Sequence, residues 1–182
     1  MGTVYKEIER KWLIEPPKLF DVKTGERALC EQTYIVDNND LEIRIRTTRV
    51  DQGVMTTQHR SLDIKSKKQN GSITRTEFSL EIEQAAFVDI KELFALSSHE
   101  PVVKLRWDIF NEQGIRFEVE QIDMLEEDPI YMMEVELESE DEEVTLPPGI
   151  TVIEEVTDDP NYYMASIAKR LKEINSVAGN ME

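Results

Sequence analysis

Apolar and polar residues alternate with a period of two in segment after segment of this chain, and turn residues punctuate the segments. Val4–Ile14 reads as a first strand, ended by Pro16-Pro17. A short Lys18–Lys23 segment reads as helical and leads through Gly25 to Leu29–Val36, which stops at Asp37-Asn38-Asn39-Asp40. Leu41–Val50 and Met55–Lys67 follow, split by Asp51-Gln52-Gly53. Asn70-Gly71 is a hairpin signal that sets Ser72–Glu83 antiparallel to the strand before it. The period then becomes helical over Gln84–Ser98, where Phe87, Ile90, Leu93 and Phe94 share one stripe. Strands resume at Val102–Phe110, at Ile115–Ile122 after a Gln113-Gly114 turn, and at Pro129–Glu138. An acidic, proline-containing connection leads to Thr151–Val156. Asp159-Pro160 reads as the N-cap and first position of a closing helix, with Met164, Ile167, Ala168, Leu171 and Ile174 on its apolar face. About eight strands joined mostly as hairpins, with two or three helices, point to a closed or nearly closed antiparallel sheet, a mainly β member of the α+β class.

Charge sharpens this pattern, because side chains two apart on a strand share a face. Glu7, Glu9 and Lys11 form one such set, and Arg44 with Arg46 another. Lys65 follows Asp63, Arg75 precedes Glu77, and Lys104/Arg106, Glu118/Glu120 and Glu134/Glu136 complete the series. In several of these strands the opposite face is apolar: Ile8 with Trp12, Ile43 with Ile45, Val103 with Leu105, Phe117 with Val119. The ionic faces are then either the wet side of an open sheet, with the two amphipathic helices covering the other side, or the lining of a barrel. Exposed strand faces mix in Thr, Ser and Gln, whereas Arg, Lys and Glu recur here in doublets, and a barrel also removes the open edges. Both considerations favour the lumen.

Composition narrows the field. In 182 residues, 38 Asp+Glu against 21 Lys+Arg give a formal net charge of −17, which disfavours general binding to nucleic acid or to an anionic membrane. At 40% hydrophobic and 32% charged the chain reads as one globular domain spanning residues 1–182. No run approaches the roughly 20 apolar residues of a membrane span. MGTVYKEIER lacks the apolar core of a signal peptide, and Cys30 is the sole cysteine, so a reducing cytoplasm is the expected location.

The inventory of the ionic faces carries chemistry. Lys11, Arg44, Arg46, Lys65, Arg75, Lys104 and Arg106 pointing inward would repel one another by roughly 3 kcal/mol per like pair at about 5 Å and an effective dielectric near 20. Such a cluster calls for an anionic guest, and removing Arg44 is expected to relieve repulsion and stabilise the empty fold. Arginine forks suit phosphate oxygens and lysine acts as a point charge. Glu7, Glu9, Glu120, Glu134 and Glu136 match hard cations, magnesium or manganese. Cations bridging phosphates to carboxylates, with a basic rim on the remaining oxygens, describe a polyphosphate site. A glycine-rich Walker loop, a zinc ligand set and a serine nucleophile elbow are all missing from the sequence, and His59 and His99 read as surface residues. The acidic run Glu138–Glu143 reads as a solvated turn, and Trp12 and Trp107 as outer-face packing.

Glu7-Ile8-Glu9-Arg10-Lys11 is an ExExK motif on the first strand, and it resembles the signature of the CYTH superfamily, the triphosphate tunnel metalloenzymes. Gln32-Thr33-Tyr34, Arg44-Ile45-Arg46, Ile64-Lys65, Arg75-Thr76-Glu77, Lys104-Leu105-Arg106, Glu134-Val135-Glu136 and Glu155-Val156-Thr157 follow in that family's order, so the resemblance runs from about Val4 to Leu171. It implies an eight-stranded antiparallel tunnel open at both ends, with a triphosphate inside. By the same resemblance Lys11, Arg44, Arg46, Lys65, Arg75, Lys104 and Arg106 hold phosphates. Glu7, Glu9, Glu134 and Glu136 bind divalent cations, assisted by Glu120 and by Glu77, and Glu7, Glu9, Lys11, Arg44, Arg46 and Lys65 form the catalytic set.

Two departures stand out. The strand before Glu134-Val135-Glu136 offers Glu118 and Glu120 where the family often has aspartate, with Asp123 as the alternative if the register slips. Tyr162-Tyr163-Met164 lacks the asparagine that often follows the closing helix's tyrosine. The reading is a metal-dependent triphosphatase acting on a small-molecule triphosphate, inorganic tripolyphosphate first. Its rivals are a class IV adenylate cyclase, a thiamine, nucleoside or RNA 5′-triphosphatase, a non-catalytic polyphosphate or nucleotide sensor, and a barrel whose ionic face is only wet. Association into a homodimer is left open.

Overall fold

The computed structural model describes residues 2–18, 24–51, 56–68, 72–96, 101–124 and 127–178. Within them the chain forms β1 (Thr3–Ile14), β2 (Thr24–Asp37), β3 (Leu41–Asp51), β4 (Thr56–Ser66), β5 (Thr74–Glu81), α1 (Gln84–Leu93), β6 (Val102–Phe110), β7 (Arg116–Met124), β8 (Glu127–Glu136), β9 (Val152–Glu155) and α2 (Met164–Ala178). Eight strands close into an antiparallel barrel in the order β1, β5, β4, β3, β2, β6, β7, β8 and back to β1. β9 is the extra strand, and it lies along the last residues of β1 through Trp12, Leu13 and Ile14. The closed sheet leaves no long open edge.

Local chemistry sets the turns. Asn38 accepts at Oδ1 from the backbone N–H groups of Asp40 and Leu41, reversing the chain between β2 and β3. Asn111 does the same for Gln113 and Ile115, and Gly114 takes φ +83°, a conformation that favours glycine. Gly25, expected on the way into a strand starting at Leu29, lies inside β2, where a Cβ would come within 3.0 Å of the Phe110 ring. β2 therefore begins well before Leu29. The Gln52-Gly53 and Asn70-Gly71 turns, nearly all of the Lys18–Lys23 segment, the end of the Gln84–Ser98 segment and His99 lie outside the described residues.

The apolar residues divide between two cores. Trp12, Ile14, Ile109, Phe117, Val119, Met133, Val135 and Leu137 form a cluster on the outer face of β1, β6, β7 and β8, and Trp107 packs beside it. The connection after β8 roofs this cluster with Val144, Leu146 and Ile150. The acidic heads of Glu138, Glu140, Asp141 and Glu143 are exposed, as a solvated turn requires, but the same segment doubles as the lid of a core.

The second core blocks part of one barrel end. Val102, Ile122 and Met132 stand two residues from Lys104, Glu120 and Glu134, so they share the lumen face. They are capped by Met164, Ile167 and Leu171 of α2. Asp37 clasps α2 through Lys169, and it also pairs with Lys67. The lumen is thus covered by α2 on its β2, β6, β7 and β8 side, whereas the resemblance implied two open ends. Asp159 caps as expected, accepting from the Asn161 N–H at 2.9 Å, but it caps a short 3₁₀ turn over Pro160–Tyr162 that precedes α2. α1 buries none of its residues, and Leu93 at the end of its apolar stripe is 76% exposed. α1 therefore rests only lightly on β4, with Phe87 and Ile90 half-buried and Arg60 over the Phe87 ring.

Candidate active site

The period of two delivers the charged doublets into the lumen, where they line a partly open cavity of about 310 Å³. Nine basic side chains line it against seven carboxylates, with Glu120 and Asp63 fully buried beside them. Every phosphate-binding candidate named from sequence is there: Lys11, Arg44, Arg46, Lys65, Arg75, Lys104 and Arg106. So are Glu7, Glu9, Glu77, Glu134 and Glu136. The alternation places Glu118 and Glu120 on the lumen side, whereas Asp123 is exposed.

Strand register decides who meets whom. Opposite charges face one another directly in the pairs Glu7↔Arg75, Lys11↔Glu134, Lys65↔Glu77, Arg44↔Asp63 and Arg106↔Glu120. Directly opposed side chains lie about 4.5–5.5 Å apart at Cβ, close enough to pair. Lys65 Nζ is 2.6 Å from Glu77 and 2.9 Å from Glu7, and Arg75 also engages Glu7. Lys11 Nζ is 2.6 Å from Glu134 and 3.5 Å from Glu9. Arg106 lies 2.6 Å from Glu118 and 2.7 Å from Glu120, which Lys104 also contacts. Arg44 and Arg46 share Asp63 at 3.1 Å and 3.4 Å. The cations do not stand bare against one another, as their side of the inventory alone implied. Carboxylates compensate them.

Two register pairs break the rule. Glu118 stands opposite Glu134, and Glu9 opposite Glu136. Like charges directly opposite destabilise a sheet. One carboxylate oxygen from each of Glu118, Glu120 and Glu134 lies within 4.8 Å of the others. Glu120 Oε2 is buried with no hydrogen-bond partner among the described residues. An orphaned buried carboxylate oxygen amid three glutamates is a hard-oxygen donor set of the kind that holds magnesium or manganese, so the residues present fit such an ion.

Titration follows the same geometry. Burial pushes the Glu134 carboxyl up, and Glu120 and Glu9 beside it push further, outweighing Lys11. Glu136 is likewise raised by burial, Glu118 and Glu7. Burial opposes ionisation of Glu7, Glu9 and Glu120 too, yet the adjoining cations win: Lys65 and Arg75 hold Glu7 low, Lys11 holds Glu9, and Lys104 and Arg106 hold Glu120. Burial lowers the Lys104 ammonium despite Glu120, whereas Glu134 and Glu9 more than offset burial at Lys11 and raise it.

Glu7 and Glu77, expected among the metal ligands, are taken up by Lys65 and Arg75 on the basic side. Sequence reasoning passed over the roles of Asp63, Glu42, Lys68, Arg116 and Tyr163. Asp63 and Glu42 were readable, since each stands two residues from a lumen cation on its own strand. Tyr163 arrives from the segment before α2, where no strand period applies. Thr157, part of a quoted motif, enters by accepting from the Lys11 backbone N–H at 3.0 Å.

The CYTH domain family model matches residues 5–170 of the chain. The inorganic triphosphatase NE1496 has a solved structure with TM-score 0.54 and 26% identity, covering 89% of this chain and 93% of its own. Another structure of NE1496, described as a hypothetical protein, has TM-score 0.54 at 25% identity and covers 89% and 97%. The PH1819 protein from Pyrococcus horikoshii OT3 shares the fold, with TM-score 0.54, 18% identity and coverage of 92% and 90%. No curated protein matches the sequence.

Proposed function

Because this chain belongs to the CYTH domain family, we propose that it hydrolyses a small-molecule triphosphate inside its barrel, inorganic tripolyphosphate foremost, with a divalent cation. The observation that carries this reading is the division of the lumen. Opposed carboxylates with an orphaned oxygen gather on β7 and β8, and arginines and lysines gather on β3 to β6. A cavity of about 310 Å³ is at the small end for ligand sites, which favours an inorganic chain over a nucleotide.

In this reading Arg44, Arg46, Lys65, Arg75, Lys104 and Arg106 exchange their carboxylate partners for phosphate oxygens when substrate enters. They hold the chain in line and stabilise the charge that builds on the leaving diphosphate. Lys11 spans both groups. Magnesium or manganese at Glu118, Glu120 and Glu134 would neutralise phosphate charge and render water nucleophilic there. Glu136 has no cation within ion-pair distance among the described residues, and its carboxyl is raised. It is the carboxylate free to join the ion or to take a proton from the attacking water.

The test is a turnover panel. Purified protein with magnesium or manganese is offered tripolyphosphate, ATP, GTP and thiamine triphosphate, and orthophosphate, pyrophosphate and cyclic nucleotide are measured. Orthophosphate released fastest from tripolyphosphate supports the proposal. Cyclic AMP with pyrophosphate selects a cyclase, and tight binding without turnover selects a sensor.

A further inference from the structure

Lys68 lies just beyond β4, toward the barrel end that α2 partly covers, and its side chain lines the lumen cavity. The other eight basic residues of that lining each have a carboxylate within ion-pair distance, at 3.4 Å or closer. Lys68 has none among the described residues. Its neighbour Lys67 is tied off against Asp37 and Glu42, so the two consecutive lysines have opposite fates.

Lys68 nevertheless stays in an uncomfortable place. It is half-buried, and burial together with Arg75 and Lys11 lowers its ammonium below the ordinary lysine range, while Glu9 and Glu7 only partly offset them. A flexible lysine next to open solvent has conformations that avoid such company. Holding an uncompensated cation against two others costs stability unless an anion joins them. Tyr163, on the segment leading into α2, lines the same cavity.

We propose that Lys68 is a substrate-binding residue that contacts phosphate oxygens of the triphosphate at the α2 end of the lumen. Unlike its neighbours, Lys68 gives up no carboxylate on binding, so its contact with phosphate goes into affinity undiminished. This assignment rests on the triphosphatase reading. It adds a contact in that same site, outside the charged doublets of the strands.

The test compares wild type with Lys68→Met, Lys68→Gln and Lys68→Arg, using tripolyphosphate for kinetics and its nitrogen-bridged analogue imidotriphosphate for calorimetry. The expected result is a KM raised roughly ten-fold or more in the Met and Gln variants, the size of one lost charge-assisted hydrogen bond, with kcat within about two-fold. Imidotriphosphate binding should weaken in parallel, the melting temperature should not fall, and Lys68→Arg should recover most of the KM. A wild type that turns over tripolyphosphate while Lys68→Met and Lys68→Gln keep its KM and analogue affinity overturns the assignment alone. A wild type that neither binds imidotriphosphate nor hydrolyses tripolyphosphate overturns the functional reading, and the assignment with it.

Discussion

Glu118 and Glu134 face each other directly across the β7–β8 ladder, carboxylate toward carboxylate in the lumen. Arg106 at Glu118 and Lys11 at Glu134 offset part of the repulsion between these two half-buried carboxylates, and with Glu120 a short step away a bound cation would relieve the rest. The metal-free barrel should therefore gain stability on binding one. Manganese at about 100 times its dissociation constant adds roughly 2.7 kcal/mol, which is about 5–10 °C in melting temperature for a chain of this size. Glu134→Gln and Glu118→Gln should each abolish most of that rise and the metal-supported turnover. Thermal melts with and without manganese check this, and an undiminished rise in both variants would place the ion elsewhere.

Glu136 supplies a pH-dependent companion. Burial and the carboxylates Glu118 and Glu7 raise its folded pKa above the unfolded value. The folded state then binds the proton more tightly, so wild-type stability declines as pH rises from the unfolded value through the folded one. Below both values the carboxyl is neutral in either state and costs nothing. Glu136→Gln removes the repulsion, about 0.5 kcal/mol for a like-charge cross-strand neighbour. It should raise the metal-free melting temperature by about 1–2 °C at pH 8 and leave it unchanged at pH 3. An equal gain at both pH values would mean that ionisation is not its source.

Arg44 reverses an expectation. Taken with the other cations alone, it looks like a source of repulsion, and its removal like a relief. In the barrel its Nε donates to Asp63 Oδ2 at 3.1 Å, and the Asp63 side chain is 0% exposed. Arg44→Ala strips a fully buried carboxylate of its nearer arginine and leaves it Arg46 at 3.4 Å and the Ser79 hydroxyl at 2.7 Å. Breaking a buried pair costs about 3–5 kcal/mol, and the remaining partners should reduce that to about 2 kcal/mol. Denaturant unfolding of Arg44→Ala should show the loss, whereas an unchanged or stabilised variant would restore the repulsion picture.

These cases mark how far the sequence could be read. Strand periodicity placed Lys104, Arg106, Glu134 and Glu136 on the lumen face, and β6 occupies the predicted Val102–Phe110. Parity within a strand needs no tertiary information, and the outer-face positions of Trp12 and Trp107 followed from it too. Pairing between strands does need it. That Glu134 would oppose Glu118, or Arg44 meet Asp63, depends on register, which the chain fixes only when the barrel closes. The part of α2 was hidden for a related reason. An apolar stripe announces burial without saying against what, and the lumen-facing Val102, Ile122 and Met132 looked like ordinary strand residues until Ile167 and Leu171 were seen to cover them.

The two helices offer the sharpest contrast between pattern and packing. Both carry apolar stripes, but α1 buries none of its residues and Leu93 stands 76% exposed, whereas Ile167 of α2 is 1% exposed against the lumen-end cluster. Burial determines the cost of truncation, because a cavity forms only where neighbours cannot collapse. Ile167→Ala should cost about 2–4 kcal/mol, or very roughly 4–16 °C in melting temperature. Leu93→Ala should stay within about 0.5 kcal/mol. Paired urea melts measure both. If Leu93→Ala proved as costly as Ile167→Ala, α1 would be packed against a face that the barrel leaves bare here, and the division of labour between the helices would fail.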